Sequence, residues 1–264
     1  MEYFGINWQI GRPWGNHHPD HNCWNAPESV VFKDNILQLG VDYKPVIFDV
    51  PDPNNPGQTY KKRYPWSVGY VTSTDSFKYG YFRVDFKLPL GKQLWPAIWL
   101  SDQDTWPPEI DIVEGWTDQY NWPIFKPKSA DRIYRINPFA NRIFPSLHLG
   151  TNPKEHHMKS YKKLNGSPTC YLDITGVNVC ELVWAPDRLR IYYNGRLFME
   201  ETRPEILKYY NESNGMKIHL NNYVTNNFNI DDYIHMNDRK DMCKWFYIYN
   251  VDYNTDYEFI SEPK

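Results

Sequence analysis

Residues 108–114 read Pro108-Glu109-Ile110-Asp111-Ile112-Val113-Glu114 and place three carboxylates within β-branched, apolar sequence. A strand alternates its side chains, so Glu109 and Asp111 share one face while Ile110 and Ile112 take the other. Strict alternation gives the next place on the acid face to Val113, and the third acid arrives one residue late. A β-bulge, with Val113 as the extra residue, resets the phase and returns Glu114 to the Glu109 side. The expected strand carries an acid row on one face and an apolar row on the other. Like charges side by side raise one another's pKa. Short acidic patterns alone are weak signals, and most are solvated strand edges. Here the frame is that of a buried strand, where solvation does not explain repeated acids.

Strand-like runs separated by turn residues surround this segment: 29–32, 36–41, 66–72, 81–88, 97–100, 181–184, 189–193 and 245–249. Asn194-Gly195 is a strong hairpin signal. Long amphipathic helical patterns are scarce, with one short helix expected over 204–211. The spacing predicts an all-β antiparallel sandwich, and 264 residues suit one such domain over 1–264. Three stretches read as loops: 1–27, the proline-rich 51–65, and 115–145, which follows Glu114 directly and is expected to wall a cleft.

The net charge is −3 and no apolar run reaches the roughly 20 residues that span a bilayer. Neither a nucleic-acid nor a membrane partner is expected. Met1-Glu2-Tyr3-Phe4 lacks the pattern of a signal peptide. Cys23, Cys170, Cys180 and Cys243 fit no zinc spacing; a Cys170–Cys180 bridge across a hairpin and free buried thiols are both open. His17, His18, Asp20 and His21 form no closed ligand set and read as a polar loop, as do His156 and His157. Aromatic residues make up 17% of the chain, with 11 Trp and 21 Tyr, against only 41% hydrophobic residues in all. Part of that aromatic surface is therefore expected outside the core, where flat rings suit sugar C–H faces.

Two carboxyls in different protonation states at one pH, roughly 5–5.5 Å apart, are what retaining glycoside hydrolysis requires. Several blocks along the chain agree with that chemistry. Besides the acid strand they are Tyr79–Pro89, the tryptophan-rich Leu94–Leu100, Ser146–Gly150, the hairpin Cys180–Gly195, and the late strands 216–224 and 245–253. Together, over about 28 to 253 and in order, they resemble glycoside hydrolase family 16, the laminarinase-like glucanases and their agarase, porphyranase and carrageenase relatives. The resemblance implies a β-jelly-roll sandwich with a sugar-binding cleft on its concave face. It implies Glu109 as nucleophile, Glu114 as general acid/base, and Asp111 between them, modulating their charge. The bulged motif favours hydrolases over transglycosylases, which typically lack the extra residue. Asn178 stands where relatives often carry His, and no Gly pair follows Leu220–Val224; both differences bear on substrate rather than mechanism.

Trp95 and Trp116 are expected as stacking platforms, and Trp99 as cleft or core. Pro96 makes an irregular step between Trp95 and Trp99 conceivable. His148 is expected to donate to the sugar or to Glu114, and Asn221 to face the cleft from a neighbouring strand. Arg132, Arg135 and Arg142 could read an anionic or sulfated sugar, with Arg135 the chosen candidate. No cofactor is required for the expected chemistry. Relatives often bind a structural calcium, which no acidic loop here locates. The expected partner is a polysaccharide, the expected state a monomer, and the substrate class favours a secreted or periplasmic setting. The activity expected is that of an endo-acting retaining hydrolase. A non-catalytic polysaccharide-binding protein and a transglycosylase are the alternatives, with glucan or galactan open as substrate.

Overall fold

The computed structural model describes residues 1–17, 21–102, 104–116, 143–161, 172–238 and 243–257. In chain order the strands are β1 (Glu2–Tyr3), β2 (Ile6–Ile10), β3 (Cys23–Asn25), β4 (Val30–Lys33), β5 (Ile36–Leu39), β6 (Val41–Pro51), β7 (Thr59–Val68), β8 (Tyr70–Ser73) and β9 (Gly80–Lys87). They continue with β10 (Leu94–Asp102), β11 (Glu109–Glu114), β12 (Ser146–Leu149), β13 (His157–Ser160), β14 (Asn178–Ala185), β15 (Arg188–Tyr193), β16 (Arg196–Glu201), β17 (Met216–Val224) and β18 (Phe246–Asn254). Two α-helices, α1 (Pro204–Glu212) and α2 (Ile230–Asp238), are present among the described residues.

Two large antiparallel sheets form the expected jelly-roll sandwich. One runs β1-β2-β8-β17-β10-β11-β12-β13 and the other β16-β15-β14-β9-β18-β5-β4. Their facing side chains make a continuous core in which Ile98, Ile110 and Ile112 from the first sheet meet Phe82, Leu182 and Ile191 from the second. A third, smaller sheet β3-β7-β6, with β3 parallel to β7, was not expected. It covers a satellite core of Val41, Trp66, Val68 and Phe228.

The sequence-based expectations fail where proline and glycine occur. Much of 51–65 is not loop: β6 and β7 pair as a long hairpin. Pro45 and Pro65, which have no N–H to give, fall where that ladder skips between Tyr43 and Val46. Likewise 1–27 contributes β1, β2 and β3. The run 66–72 is two strands, split at Gly69, where a Cβ would lie 2.5 Å from the Ser29 carbonyl oxygen. This close approach lets the chain pass from the small sheet to the large one. Pro96 makes no irregular step: β10 pairs with β17 in unbroken register from Leu94 to Asp102. Cys180 is a free, buried thiol, as is Cys23, and Cys243 is free and half-buried, while Cys170 lies outside the described residues.

Candidate active site

The bulge is present. In the β10–β11 ladder Trp99 faces Asp111 and Ile98 faces Val113, so Ile112 is the residue without an opposite number. The extra residue is therefore Ile112 rather than Val113, and both enter the core. The unpaired backbone needs a partner inside the sandwich, and the opposing sheet supplies it: the buried Tyr193 hydroxyl donates to the Ile112 carbonyl at 2.5 Å. With the phase reset, Glu109, Asp111 and Glu114 all line one cleft of about 580 Å³.

The neighbouring strand presents Trp95, Ala97, Trp99 and Ser101 to the same cleft, four alternate residues of an uninterrupted strand. Trp95 hydrogen-bonds the Glu114 carboxyl. Trp99 donates through Nε1 to Asn221 Oδ1 at 2.7 Å and stacks on His219, ring centroids 4.1 Å apart. Asn221 lines the cleft from β17. Trp116 is exposed and lies 6.5 Å from Trp95, so two indoles flank the Glu114 end. Arg135, with Arg132 and Arg142, lies outside the described residues.

His148 stands directly opposite Glu109 on β12. Its Nε2 is 3.0 Å from Asp111 Oδ2 and 3.4 Å from Glu109 Oε1, so its contacts are with these two acids and not with Glu114. The Asp111 contact is out of line for a hydrogen bond. The other ring nitrogen, Nδ1, lies 2.8 Å from His156 Nε2, the two rings being nearly parallel. His156 is thus part of the site rather than a polar-loop residue. Trp106, three residues before Glu109, donates through Nε1 to Glu109 Oε2 at 2.9 Å. Tyr210 of α1 reaches the backbone carbonyls of both Glu109 and His148, tying β11 to β12.

Burial pushes all three carboxyls above their ordinary range, most for Glu109 and Asp111, with repulsion from Asp111 adding to it at Glu109 and repulsion from Glu114 adding to it at Asp111. The row therefore holds its protons to higher pH than free carboxyls do, and those protons belong to the group as a whole. The partners differ along the row. Glu109 has the Trp106 N–H and the His148 ring, both favouring its ionised form. Asp111 has a hydrogen bond with the Glu109 carboxyl, and Glu114 has Trp95 at the more open end. Glu109, Asp111 and His148 also bring one ligand atom each within 4.8 Å of the others, a set that could hold a cation. Trp106 and the Glu109–Asp111 hydrogen bond already engage the Glu109 carboxyl.

Trp106 and His156 were missed in the sequence because each sits in irregular chain outside a strand. His219 was legible in principle, two residues before Asn221 on one face of β17. It is buried among Tyr70, Thr72 and Ser101 hydroxyls, and burial lowers its pKa to about 3, so it is a neutral imidazole beneath Trp99.

Sequence and structure comparisons agree with this architecture. The model for "Glycosyl hydrolases family 16" matches residues 17–125, the portion that contains all three acids. Endo-1,3-1,4-beta-glycanase EglC of Rhizobium meliloti is 44% identical over 54 residues, which is 19% of this chain and 12% of that protein. Glucan endo-1,3-beta-glucosidase A1 of Niallia circulans is 33% identical over 109 residues, 38% of this chain and 15% of that one. Among solved structures, porphyranase B of Zobellia galactanivorans superposes with a TM-score of 0.63 at 19% identity, covering 94% of this chain and 85% of its own. A Bacteroides ovatus mixed-linkage glucan GH16 protein gives a TM-score of 0.62 at 20% identity, covering 96% and 98%. Over residues 17–125 this chain matches glycosyl hydrolases family 16 by sequence, and over nearly its whole length it shares their fold.

Proposed function

We propose that this protein is an endo-acting, retaining glycoside hydrolase that cleaves internal β-glycosidic bonds of a polysaccharide. The observation that carries the reading is the bulge at Ile112, which returns Glu114 to the face of Glu109 and Asp111. In this reading Glu109, whose ionised form Trp106 and His148 favour against the burial that disfavours it, attacks the anomeric carbon. The glycosidic bond breaks as Glu114 delivers its proton to the leaving oxygen, leaving a glycosyl ester on Glu109. Glu114, now ionised, takes a proton from water, whose oxygen displaces Glu109 and restores the original configuration. Asp111 shares a hydrogen bond with the Glu109 carboxyl and moderates its charge between steps. Trp95, Trp99 and Trp116 offer ring faces to the sugar, and Asn221 fixes the Trp99 ring.

The similarity to named glucanases and to porphyranase B supports the polysaccharide class without choosing between glucan and galactan. The test is Glu109→Gln with ¹H NMR of the first products. Activity on every cleaved polysaccharide should vanish in the variant, and the wild-type protein should release the β-anomer first. Hydrolysis surviving in Glu109→Gln, or an α-anomer first, refutes the assignment.

A further inference from the structure

The cleft also holds a cation that the hydrolytic steps do not use. Arg12 lines it, yet is only 7% exposed. Its loop is anchored to the sheet: the Gly11 N–H donates to Tyr70 O at 2.8 Å and Thr72 Oγ1 donates to Gly11 O at 3.0 Å. Within the loop the guanidinium is held by two carbonyls, Nε donating to Gly15 O at 3.3 Å and Nη2 to His17 O. Trp14 lies against it, 5.9 Å from the guanidinium carbon to the ring centroid, and is itself 52% exposed. Two carbonyls occupy two of the five N–H groups of an arginine. Among the described residues no carboxylate pairs with Arg12. A charge nine-tenths removed from water ordinarily has a counter-charge. A fork fixed in position, with donors left over and an aromatic plate beside it, is built to receive a planar or tetrahedral anion.

We propose that Arg12 and Trp14 form a subsite for a sugar carrying an anionic substituent, either a sulfate ester or a carboxylate; the proposal rests on the cleft being a polysaccharide site. The placement fits the field of the cleft. The acid row lies on β11, whereas Arg12 is two residues beyond the end of β2, four strands away in the sheet, on the order of 19 Å at ordinary strand spacing. An anionic group is repelled beside Glu109, Asp111 and Glu114 and attracted at the Arg12 end. The charge pattern thus sets the register in which a substituted chain lies, not merely its affinity. Trp14 takes the C–H face of the same sugar while Arg12 takes its substituent.

The experiment uses calorimetric titration of Glu109→Gln protein and of Glu109→Gln carrying Arg12→Gln. The probes are oligosaccharides of a sulfated β-galactan and its desulfated form, and of a carboxymethyl β-1,3-glucan and the unmodified glucan. Glu109→Gln should bind one anionic probe about tenfold tighter than its neutral counterpart, from one charge-assisted contact. That preference should vanish with Arg12→Gln and shrink as salt is raised. The sulfate and carboxylate arms tell the two substituents apart. Trp14→Ala, at an exposed position, should weaken the anionic probe at least fivefold with melting temperature unchanged, and it carries the test if Arg12→Gln fails to fold. Equal affinity for charged and neutral probes, a preference that survives Arg12→Gln, or no binding at all overturns the subsite. Wild-type hydrolysis of neutral probes with no charge preference would sink this proposal alone. Charge-selective binding without any hydrolysis would sink only the hydrolase reading.

Discussion

Asp111 shows what the acid row costs. Its carboxyl is almost wholly buried, and burial together with Glu114 pushes its pKa well up. The unfolded chain ionises Asp near pH 4, whereas the folded one resists. Wild-type stability therefore falls as pH rises from about 4 toward the raised folded value, and is unaffected below that range. Asp111→Asn should raise the melting temperature at pH 7–8, with the gain disappearing near pH 3, while kcat falls; calorimetry across pH checks both. A stabilised but less active variant would show that the row is kept for chemistry rather than for folding. His148 acts in the opposite sense, since its charge lowers the Glu109 pKa. His148→Ala should move the acidic limb of the kcat/KM profile to higher pH, because Glu109 must be ionised to attack. His156→Ala should move it less and in the same direction, by freeing the His148 ring that His156 orients. An unmoved limb in both variants would remove the pair from the mechanism.

At the scale of the element, β11 is shaped by its partners as much as by its sequence. The Ile112 carbonyl left over by the bulge is met by Tyr193, at the end of β15 and just before the Asn194-Gly195 turn. Tyr193→Phe strands that carbonyl in the core and should cost roughly 1–3 kcal/mol of stability. Chemical denaturation measures the loss, and kcat should fall with it while sugar affinity in the Glu109→Gln background holds. Affinity and kcat both unchanged would mean that the bulge needs no brace. The bulge itself was legible, because Val113 breaks an otherwise regular alternation; its partner was not, because alternation says nothing about which hydroxyl crosses between layers. Trp95, Trp99 and Asn221 could be placed from strand phase. Trp106 and His156 could not, since Trp106 reaches Glu109, and His156 reaches His148, from irregular chain. The contact of His148 with Asp111 and Glu109 instead of Glu114 followed from register, which a single strand does not reveal. The β6–β7 hairpin was hidden for a related reason: the prolines of 51–65 read as loop, but Pro53 and Pro56 lie in its turn, Pro51 at the end of its ladder, and Pro65 where that ladder is already broken.

For the whole molecule, the eight-stranded sheet carries a cleft with acids toward one side and Arg12 toward the other, floored by neutral His219 beneath Trp99. A chain bound along it contacts both layers only indirectly, so occupancy should stabilise the sandwich as a unit. Glu109→Gln with an oligosaccharide at 100 times its Kd should gain about 2.7 kcal/mol. Differential scanning calorimetry reads this as a rise in melting temperature, absent with a sugar that the wild-type protein does not cleave. The small sheet raises a different matter. Among the described residues its outer strand, β6, is an edge roughly thirty ångström long or more at the usual rise per residue, and it carries an exposed Ile47. Pro45 and Pro51 interrupt its row of donors, and Lys44 and Asp49 add charge. Such borders invite strand-by-strand growth between copies unless they are blunted in this way. The prolines along this border thus guard the dissolved protein against fibrous self-association, and light scattering of Pro45→Val over days should show the guard removed.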